Sequence, residues 1–148
     1  MNLLFVCSGN TCRSPLAEAL ARKIAERRGI EDLSVSSAGT NAWDNVPATD
    51  EALLVGMERD LDVTGHRSRK LTPAIVSEAD LIFVMTPGHI EQVKQMGGRG
   101  KVHVIDEYAS GVSNKGIADP YGGDLEAYRA TADILEQELE RLFDRLES

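Results

Sequence analysis

The sequence predicts a single α/β domain, spanning residues 1–148, in which a parallel sheet carries helices on both faces. Four short apolar runs are continuous rather than alternating, as in strands that are covered on both sides. Segments with helical spacing lie between them, and strands that alternate with helices form parallel sheets with right-handed crossovers. A chain of 148 residues is long enough to bury a core of its own.

The four predicted strands cover residues 3–7, 34–38, 81–85 and 102–105. The first helix is predicted to open at Ser14-Pro15, because proline suits the first turn, and to stop at Gly29. A second helix is expected over residues 47–59. Thr72-Pro73 and Thr86-Pro87 each have the pattern of a cap followed by the first helical residue, and the latter helix should end at Gly97-Gly98.

The last helix is predicted from apolar residues at alternating three- and four-residue steps between Leu125 and Leu146. This spacing fits a coiled-coil seam, but a helix that packs one face onto a sheet is the more common arrangement. Ligands of such folds bind at the carboxyl ends of the strands. Cys7 and the segment 106–119 both lie just past strand ends, so we expect them to meet there.

The segment from Leu3 to Pro15 carries the chemistry of the chain. An apolar run ends on Cys7, a short polar loop follows, and Arg13 comes six positions after the cysteine. Loop N–H groups from Ser8 to Cys12, together with a helix N-terminus, form a concave anion site. Arg13 adds a planar fork for two phosphate oxygens. The same positive field favours a thiolate, so the segment predicts nucleophilic displacement at phosphorus by Cys7.

Composition restricts the possible partners. Acidic residues outnumber basic ones 24 to 16, which argues against nucleic acid. No apolar run approaches the length of a membrane span or a signal-peptide core, so a cytoplasmic protein is the expectation. The two cysteines and three histidines lack the spacing of a zinc site, and we expect neither a metal nor a cofactor. Arg67, Arg69 and Lys70 form a basic patch, and such a patch is ordinarily solvated surface.

Residues 6–18, VCSGNTCRSPLAE, closely resemble the phosphate-binding signature of the low-molecular-weight protein phosphatases. The resemblance covers essentially the whole chain and implies a four-stranded sheet in the order 2-1-3-4. It implies phosphorylated proteins as substrates, a phosphocysteine intermediate, and a monomer or weak dimer. It also places the general acid on Asp119-Pro120.

The chemistry of an aspartate at position 119 is compatible with the role of general acid. One carboxyl group can protonate a leaving group and then activate water, although a loop aspartate is more often a turn former or cap. Asp106, Glu107 and Asp124 are weaker candidates.

Other side chains of the segment have two interpretations each. Asn10 suits a left-handed backbone in the loop. Ser14 is either a helix cap or a hydroxyl donor to the Cys7 sulfur. Cys12 is either a packing residue or, as in the resembling family, a resolving thiol that traps an oxidised Cys7 as a reversible disulfide.

Residues outside the segment complete the predicted site. The resemblance implies that Ser37 and His66 form a hydrogen-bond network behind the loop, whereas a lone histidine is more often a packing residue. Trp43 and Tyr121 are candidate walls of the substrate slot, and packing plugs are the alternative.

Three positions depart from the tyrosine-specific members and resemble the bacterial protein-arginine phosphatases. They are Thr11 in place of a bulkier aliphatic residue, Gly122 in place of a second aromatic, and Thr86 in place of an aspartate. A hydroxyl near the pocket can bond a planar, polar guanidinium leaving group. Trp43 favours phosphotyrosine instead. Phosphoarginine is therefore the favoured substrate, and phosphotyrosine is the alternative.

Two further classes are less compatible with the sequence. A phosphocysteine carrier protein could share the strand, cysteine and loop, but it would not need Asp119. An arsenate reductase of this fold would need cysteines after Cys12, and none follows.

Overall fold

All four predicted strands are present and parallel, and the sheet has the order β2-β1-β3-β4. The structure is a computed structural model that describes residues 1–111 and 115–148. The strand bounds agree with the prediction to within one residue: β1 is Asn2–Cys7, β2 is Ser34–Gly39, β3 is Leu81–Val84 and β4 is Val102–Val104. The single-domain fold and the order 2-1-3-4 are thus confirmed.

The second helix and the segment directly after β4 differ from the prediction. The second helix begins at Asp50 rather than at Pro47, because the Thr49 side chain accepts a hydrogen bond from the backbone N–H of Ala52 and caps it there. A short helix that was not predicted starts at Ile105, directly after β4. The helices are α1 Arg13–Arg27, α2 Asp50–Glu58, α3 Pro73–Glu78, α4 Ile90–Val93, α5 Ile105–Ser110 and α6 Leu125–Glu147.

The segment after Thr86 is helical as predicted, but it is not one regular helix, and the Thr86 side chain does not cap it because its hydroxyl bonds the ring of His89. A 3₁₀ turn at Pro87–His89 leads into α4, and a π turn at Lys94–Gly98 follows, with Gly97 in a positive-φ conformation. The segment therefore ends at the predicted glycines.

Alternate residues of β1 enter the two halves of the core, as expected for a central strand. Leu3 and Phe5 belong to the cluster that contains α1, α5 and α6, and Leu4 and Val6 belong to the cluster that contains α3 and α4. Both faces of the sheet are therefore covered, which explains the continuous apolar runs.

The apolar stripe of α6 is buried within this chain rather than offered to a partner. Leu135, Leu139 and Leu142 are fully buried, and α6 contacts α1, α2 and α5. Arg28, at the C-cap of α1, pairs with Glu140 and Asp144 of α6. The packing interpretation of this helix is thus confirmed over the coiled-coil alternative. No helix in the described part of the chain is long and apolar enough to cross a membrane.

Candidate active site

Residues 7–14 (the phosphate loop) connect the end of β1 to the start of α1 and wrap around the Cys7 sulfur. The backbone N–H of Asn10 points at Cys7 Sγ from 3.3 Å, and Ser14 Oγ lies 2.9 Å from the same sulfur. Asn10 has φ 57°, the left-handed conformation that asparagine tolerates. The local backbone thus directs polar hydrogens towards a buried thiol.

Asn10 is also the centre of a network behind the loop. Its side-chain amide donates to Ser14 Oγ (2.8 Å) and Ser37 Oγ (2.9 Å), and its Oδ1 accepts from the backbone N–H of Arg69. Its carbonyl oxygen lies 2.6 Å from His66 Nε2. Ser37 and His66 therefore hold the loop in the arrangement that the resemblance implies.

Ser14 is not the helix cap. The cap position of α1 falls on Cys12, which makes no side-chain cap bond, and the Ser14 hydroxyl is committed to Cys7 and Asn10. Of its two interpretations, the geometry supports contact with the sulfur.

Arg13 connects the phosphate loop to the other chemical segment. Its side chain is almost completely buried; Nη1 donates to the carbonyl of Ile117 (2.9 Å), and Nη2 lies 3.5 Å from Asp119 Oδ2. Within residues 1–111 and 115–148, Arg13 Nε is the one buried side-chain N or O atom without a hydrogen-bond partner. A buried donor of this kind costs free energy unless it is paired, so an anion at the loop would relieve it.

Residues 116–124 (the acid loop) are attached to the sheet at their start. Ile117 N donates to Met85 O, and a Cβ at Gly116, which has φ +81°, would collide with that same carbonyl oxygen. Asp106, which is buried, accepts from Gly116 N at 3.0 Å. The loop is thereby held beside Arg13.

The carboxylates proposed as alternatives to Asp119 have other contacts. Asp106 anchors the acid loop, and Asp124 caps α6 by accepting from Ala127 N. Asp106, Asp124 and Glu107 do not line the cavity above the Cys7 sulfur that is described below, whereas Asp119 does. Asp119 itself is half-exposed, and its Oδ1 accepts from Tyr121 N.

A cavity of about 830 Å³ opens above the Cys7 sulfur. Trp43 (83% exposed) and Tyr121 (71% exposed) stand on its wall, so neither is a packing plug. Gly122 also lines it and has φ +81°, a conformation that side chains rarely adopt, which gives a backbone reason for the missing second aromatic. Nine predicted site residues line the cavity: Cys7, Ser8, Gly9, Thr11, Cys12, Arg13, Trp43, Asp119 and Tyr121. Asn10 and Ser14 support it from behind.

His89 belongs to the site, although sequence reasoning did not identify it. Its Nε2 and Ser8 Oγ are hydrogen-bonded at 2.9 Å, and its Nδ1 and Thr86 Oγ1 at 3.1 Å. Thr86 therefore reaches the loop through His89 and does not line the cavity. Burial, reinforced by the nearby Arg13 charge, lowers the pKa of His89. The available signal was its position in the turn after β3, beside β1.

Cys12 is enclosed by hydroxyl groups. Its Sγ lies 3.3 Å from the Tyr128 hydroxyl and 3.9 Å from Thr49 Oγ1. Burial raises the pKa of the Cys12 thiol. Both cysteines are free thiols.

The described part of the chain contains no group of three or more His, Cys, Asp or Glu side chains placed to hold a metal ion.

A buried thiol under loop amides, a guanidinium with an unpaired donor and a carboxylate across the cavity define, on this fold, a protein phosphatase. A family model described as low molecular weight phosphotyrosine protein phosphatase matches residues 2–148. The chain belongs to that family.

Individual relatives include enzymes named for two different substrates. The chain is 40% identical over 148 residues to the protein-arginine-phosphatase of Bacillus subtilis (strain 168), with 99% of this chain and 97% of the relative covered. It is 37% identical over 133 residues to the low molecular weight phosphotyrosine protein phosphatase of Schizosaccharomyces pombe, with 86% and 85% covered. A solved structure of the arginine phosphatase YwlE, a cysteine-to-serine variant with a phosphorylated active-site serine, matches with a TM-score of 0.93 at 40% identity. That match covers 100% of this chain and 97% of the other.

Proposed function

We propose that this protein hydrolyses phosphoarginine on proteins through a phosphocysteine intermediate on Cys7. The observation that carries the substrate assignment is Thr11 in the wall of the cavity, beside the phosphate loop. The only hydrogen bond of its hydroxyl within the described residues is a long one, 3.8 Å, to Cys12 Sγ. The hydroxyl is therefore free to bond a polar leaving group. Two relatives named as protein-arginine-phosphatases, 40% and 35% identical to this chain, support the assignment.

In the first step the Cys7 thiolate attacks phosphorus, the S–P bond forms, and the bond from phosphorus to the guanidino nitrogen breaks. Asp119 gives its proton to the departing nitrogen. Loop N–H groups and Arg13 hold the phosphoryl oxygens, which removes the unpaired donor at Arg13 Nε. A bound phosphoryl group competes with Asp119 for Arg13, and the 3.5 Å ion pair between the two side chains is long enough to exchange.

In the second step water attacks the phosphocysteine, and Asp119 takes the proton of that water. The S–P bond breaks, phosphate leaves, and the electron pair returns to Cys7. The Ser14 hydroxyl, 2.9 Å from the sulfur, donates a hydrogen bond to the Cys7 thiolate as it leaves phosphorus. The phosphorylated active-site serine of the YwlE variant supports a phosphoenzyme at this position of the loop. A carrier protein would need no carboxylate across the cavity, so the placement of Asp119 favours hydrolysis.

Phosphotyrosine is the second candidate, because Trp43 and Tyr121 provide two exposed aromatic walls that could grip a phenyl ring. The test is to measure kcat/KM for two peptides of identical sequence that carry phosphoarginine or phosphotyrosine at one position. We expect a preference for phosphoarginine. Rapid hydrolysis of the phosphotyrosine peptide alone would replace the arginine assignment with the tyrosine one.

We further propose that Cys12 protects Cys7 in a reducing, cytoplasmic setting; the unbridged thiols are compatible with it. Peroxide converts the Cys7 thiolate to a sulfenic acid, the Cys12 thiol displaces water from it, and a disulfide results. A thiol reductant then restores both thiols.

The expected result is reversible inactivation of the wild type by mild peroxide and irreversible inactivation of Cys12→Ser, measured as activity recovered after reductant. Each protein is compared with its own untreated sample. Full recovery of the variant would leave Cys12 a packing residue.

A further inference from the structure

A second cavity, of about 390 Å³, lies behind the phosphate loop and shares no lining residue with the cavity above Cys7. Its walls come from the first turns of α1, the edge strand β2 and the segment 62–69. Three of its side chains are arginines: Arg22, Arg67 and Arg69. The basic patch singled out in the sequence is therefore partly the wall of a concave site rather than an evenly solvated surface.

The carboxylates of this second cavity leave Arg67 and Arg69 without ion pairs. Glu18 accepts from Ser37 Oγ (2.7 Å) and pairs with Arg22 (2.6 Å), and Asp62 Oδ1 accepts from the backbone N–H and the hydroxyl of Thr64. No salt bridge of Arg67 or Arg69 occurs within residues 1–111 and 115–148. The lining holds three arginines and two carboxylates, Glu18 and Asp62, so it is locally basic in a chain of net charge −8.

The donors of these two arginines are only partly used. Arg69 Nε donates to the carbonyl of Ser37 (2.9 Å), which fixes the guanidinium against the strand, while its two terminal nitrogens have no partner in the described structure. Arg67 uses Nη1 on the carbonyls of Thr64 and His66. A guanidinium has five N–H donors in a fixed fork that matches the oxygens of a phosphate group.

The second cavity is also linked to the catalytic loop. Asn10 Oδ1 accepts from the backbone N–H of Arg69, Asn10 O bonds the His66 ring, and Ser37 Oγ accepts from the Asn10 amide. The N–H of Asn10 is in turn the donor that points at Cys7 Sγ. Anything that orders Arg69 and His66 therefore acts on the residue that shapes the loop.

From these contacts we infer that the second cavity binds a phosphate-class oxyanion through Arg67 and Arg69, and that the bound anion is coupled to the phosphate loop through Asn10. Inorganic phosphate and a phosphorylated side chain share this chemistry. The site is separate from the one that performs catalysis, and its occupancy does not depend on turnover.

The test is a titration of the ¹⁵N-labelled full-length protein followed by amide shifts, with inorganic phosphate in one arm and a phosphoserine peptide in the other. Sodium chloride at matched ionic strength is the reference, because screening alone shifts exposed amides. We expect the amides of residues 66–69 to follow a midpoint different from that of residues 11–13, and the amide of Asn10, which contacts both sites, to respond at both midpoints. Tighter binding of the peptide assigns the site to a phosphorylated segment, and tighter binding of phosphate assigns it to the free anion.

The discriminating variant is Arg67→Gln with Arg69→Gln, which keeps the backbone bond from residue 69 to Asn10. Loss of a charge-assisted hydrogen bond should raise the midpoint of residues 66–69 by about 10-fold or more and leave that of residues 11–13 in place. Lys70→Gln, a neighbouring exposed cation outside the second cavity, is the matched control and should move neither midpoint. A circular dichroism melt checks that each variant is folded. Unchanged midpoints in the double variant, or shifts equal to those in chloride, would overturn the inference.

Discussion

In the phosphate loop, Cys7, Asn10 and Ser14 are almost completely buried, whereas in the acid loop Asp119 is half-exposed and Tyr121 is largely exposed. The buried loop is held by hydrogen bonds from two other parts of the chain, β2 and the segment 62–69. The exposed loop is tied to the sheet at its first residues and to α6 at its last. The difference separates two tasks. The phosphoryl group, which is common to all substrates, binds a rigid site. The leaving group, which varies between substrates, contacts side chains that can change without disturbing the core.

The largest effect should come from breaking the buried loop at its sulfur. In Cys7→Ser the loop amides and Arg13 remain, so oxyanion binding should persist while turnover falls by on the order of 10⁶-fold, the usual loss for a removed nucleophile. Steady-state kinetics and a phosphate-binding titration of the same preparation measure the two quantities. Substantial residual turnover would remove Cys7 from its proposed role.

A smaller loss is expected from the exposed loop. Asp119→Ala should slow turnover by roughly 10²–10⁴-fold, the ordinary contribution of a positioned acid–base group. The loss should be smaller for substrates whose leaving groups need no proton, because the first step then does not require the acid. The loss from the second step, in which Asp119 acts as the base, remains. A series of aryl phosphates of graded leaving-group acidity tests this, with Asp124→Ala as a control that removes a nearby carboxylate and the cap of α6. An equal and slight slowing for every leaving group would make Asp119 structural.

Substrate choice should respond at Thr11, where the two regions meet. Thr11→Ile should lower the ratio of phosphoarginine to phosphotyrosine turnover by roughly 10²-fold, because a site that bonds a polar leaving group loses its partner. Thr11→Val, which is nearly isosteric, should reproduce most of the change, and Thr11→Ser should restore the ratio. Proportional loss of both activities would show that Thr11 affects the loop rather than selectivity.

An aromatic residue introduced at position 122 would be a poor test of substrate choice. The positive φ of Gly122 would strain any side chain there, so a loss of activity would not report on the substrate.

The smallest effect concerns the support of the buried loop. Burial lowers the pKa of His89, so as the pH falls through about 6.5 the unfolded chain takes up a proton at this residue before the folded chain does. The free energy of unfolding of the wild type should therefore fall as the pH falls, by up to about 1.4 kcal/mol per pH unit. His89→Gln keeps a hydrogen-bonding side chain but lacks this slope. Urea unfolding at pH 7 and pH 5 measures the difference, and parallel slopes in the two proteins would contradict it.

The sequence was sufficient for the buried region because its signals are local. The apolar run, the loop and Arg13 lie within a dozen residues, and the strands followed from continuous apolar runs. The helix at Ile105 was missed because an apolar residue directly after a strand reads as more strand. His89 contacts Ser8, which is 81 positions earlier in the chain, and Arg69 contacts Asn10, which is 59 positions earlier. No periodicity in the sequence reveals such contacts.

Arg13 touches the carbonyl of Ile117 and the carboxylate of Asp119 as well as the phosphate loop. The Arg13 side chain thus both binds the anion and holds the acid loop in place. The rate deficit of an Arg13 variant would combine two losses, and adding Asp119→Ala to it should cost less than the sum of the separate changes. Sequence change in the acid loop is therefore constrained by a residue over a hundred positions away. Any replacement that moves the Ile117 carbonyl away from Arg13 also changes how Arg13 binds phosphate.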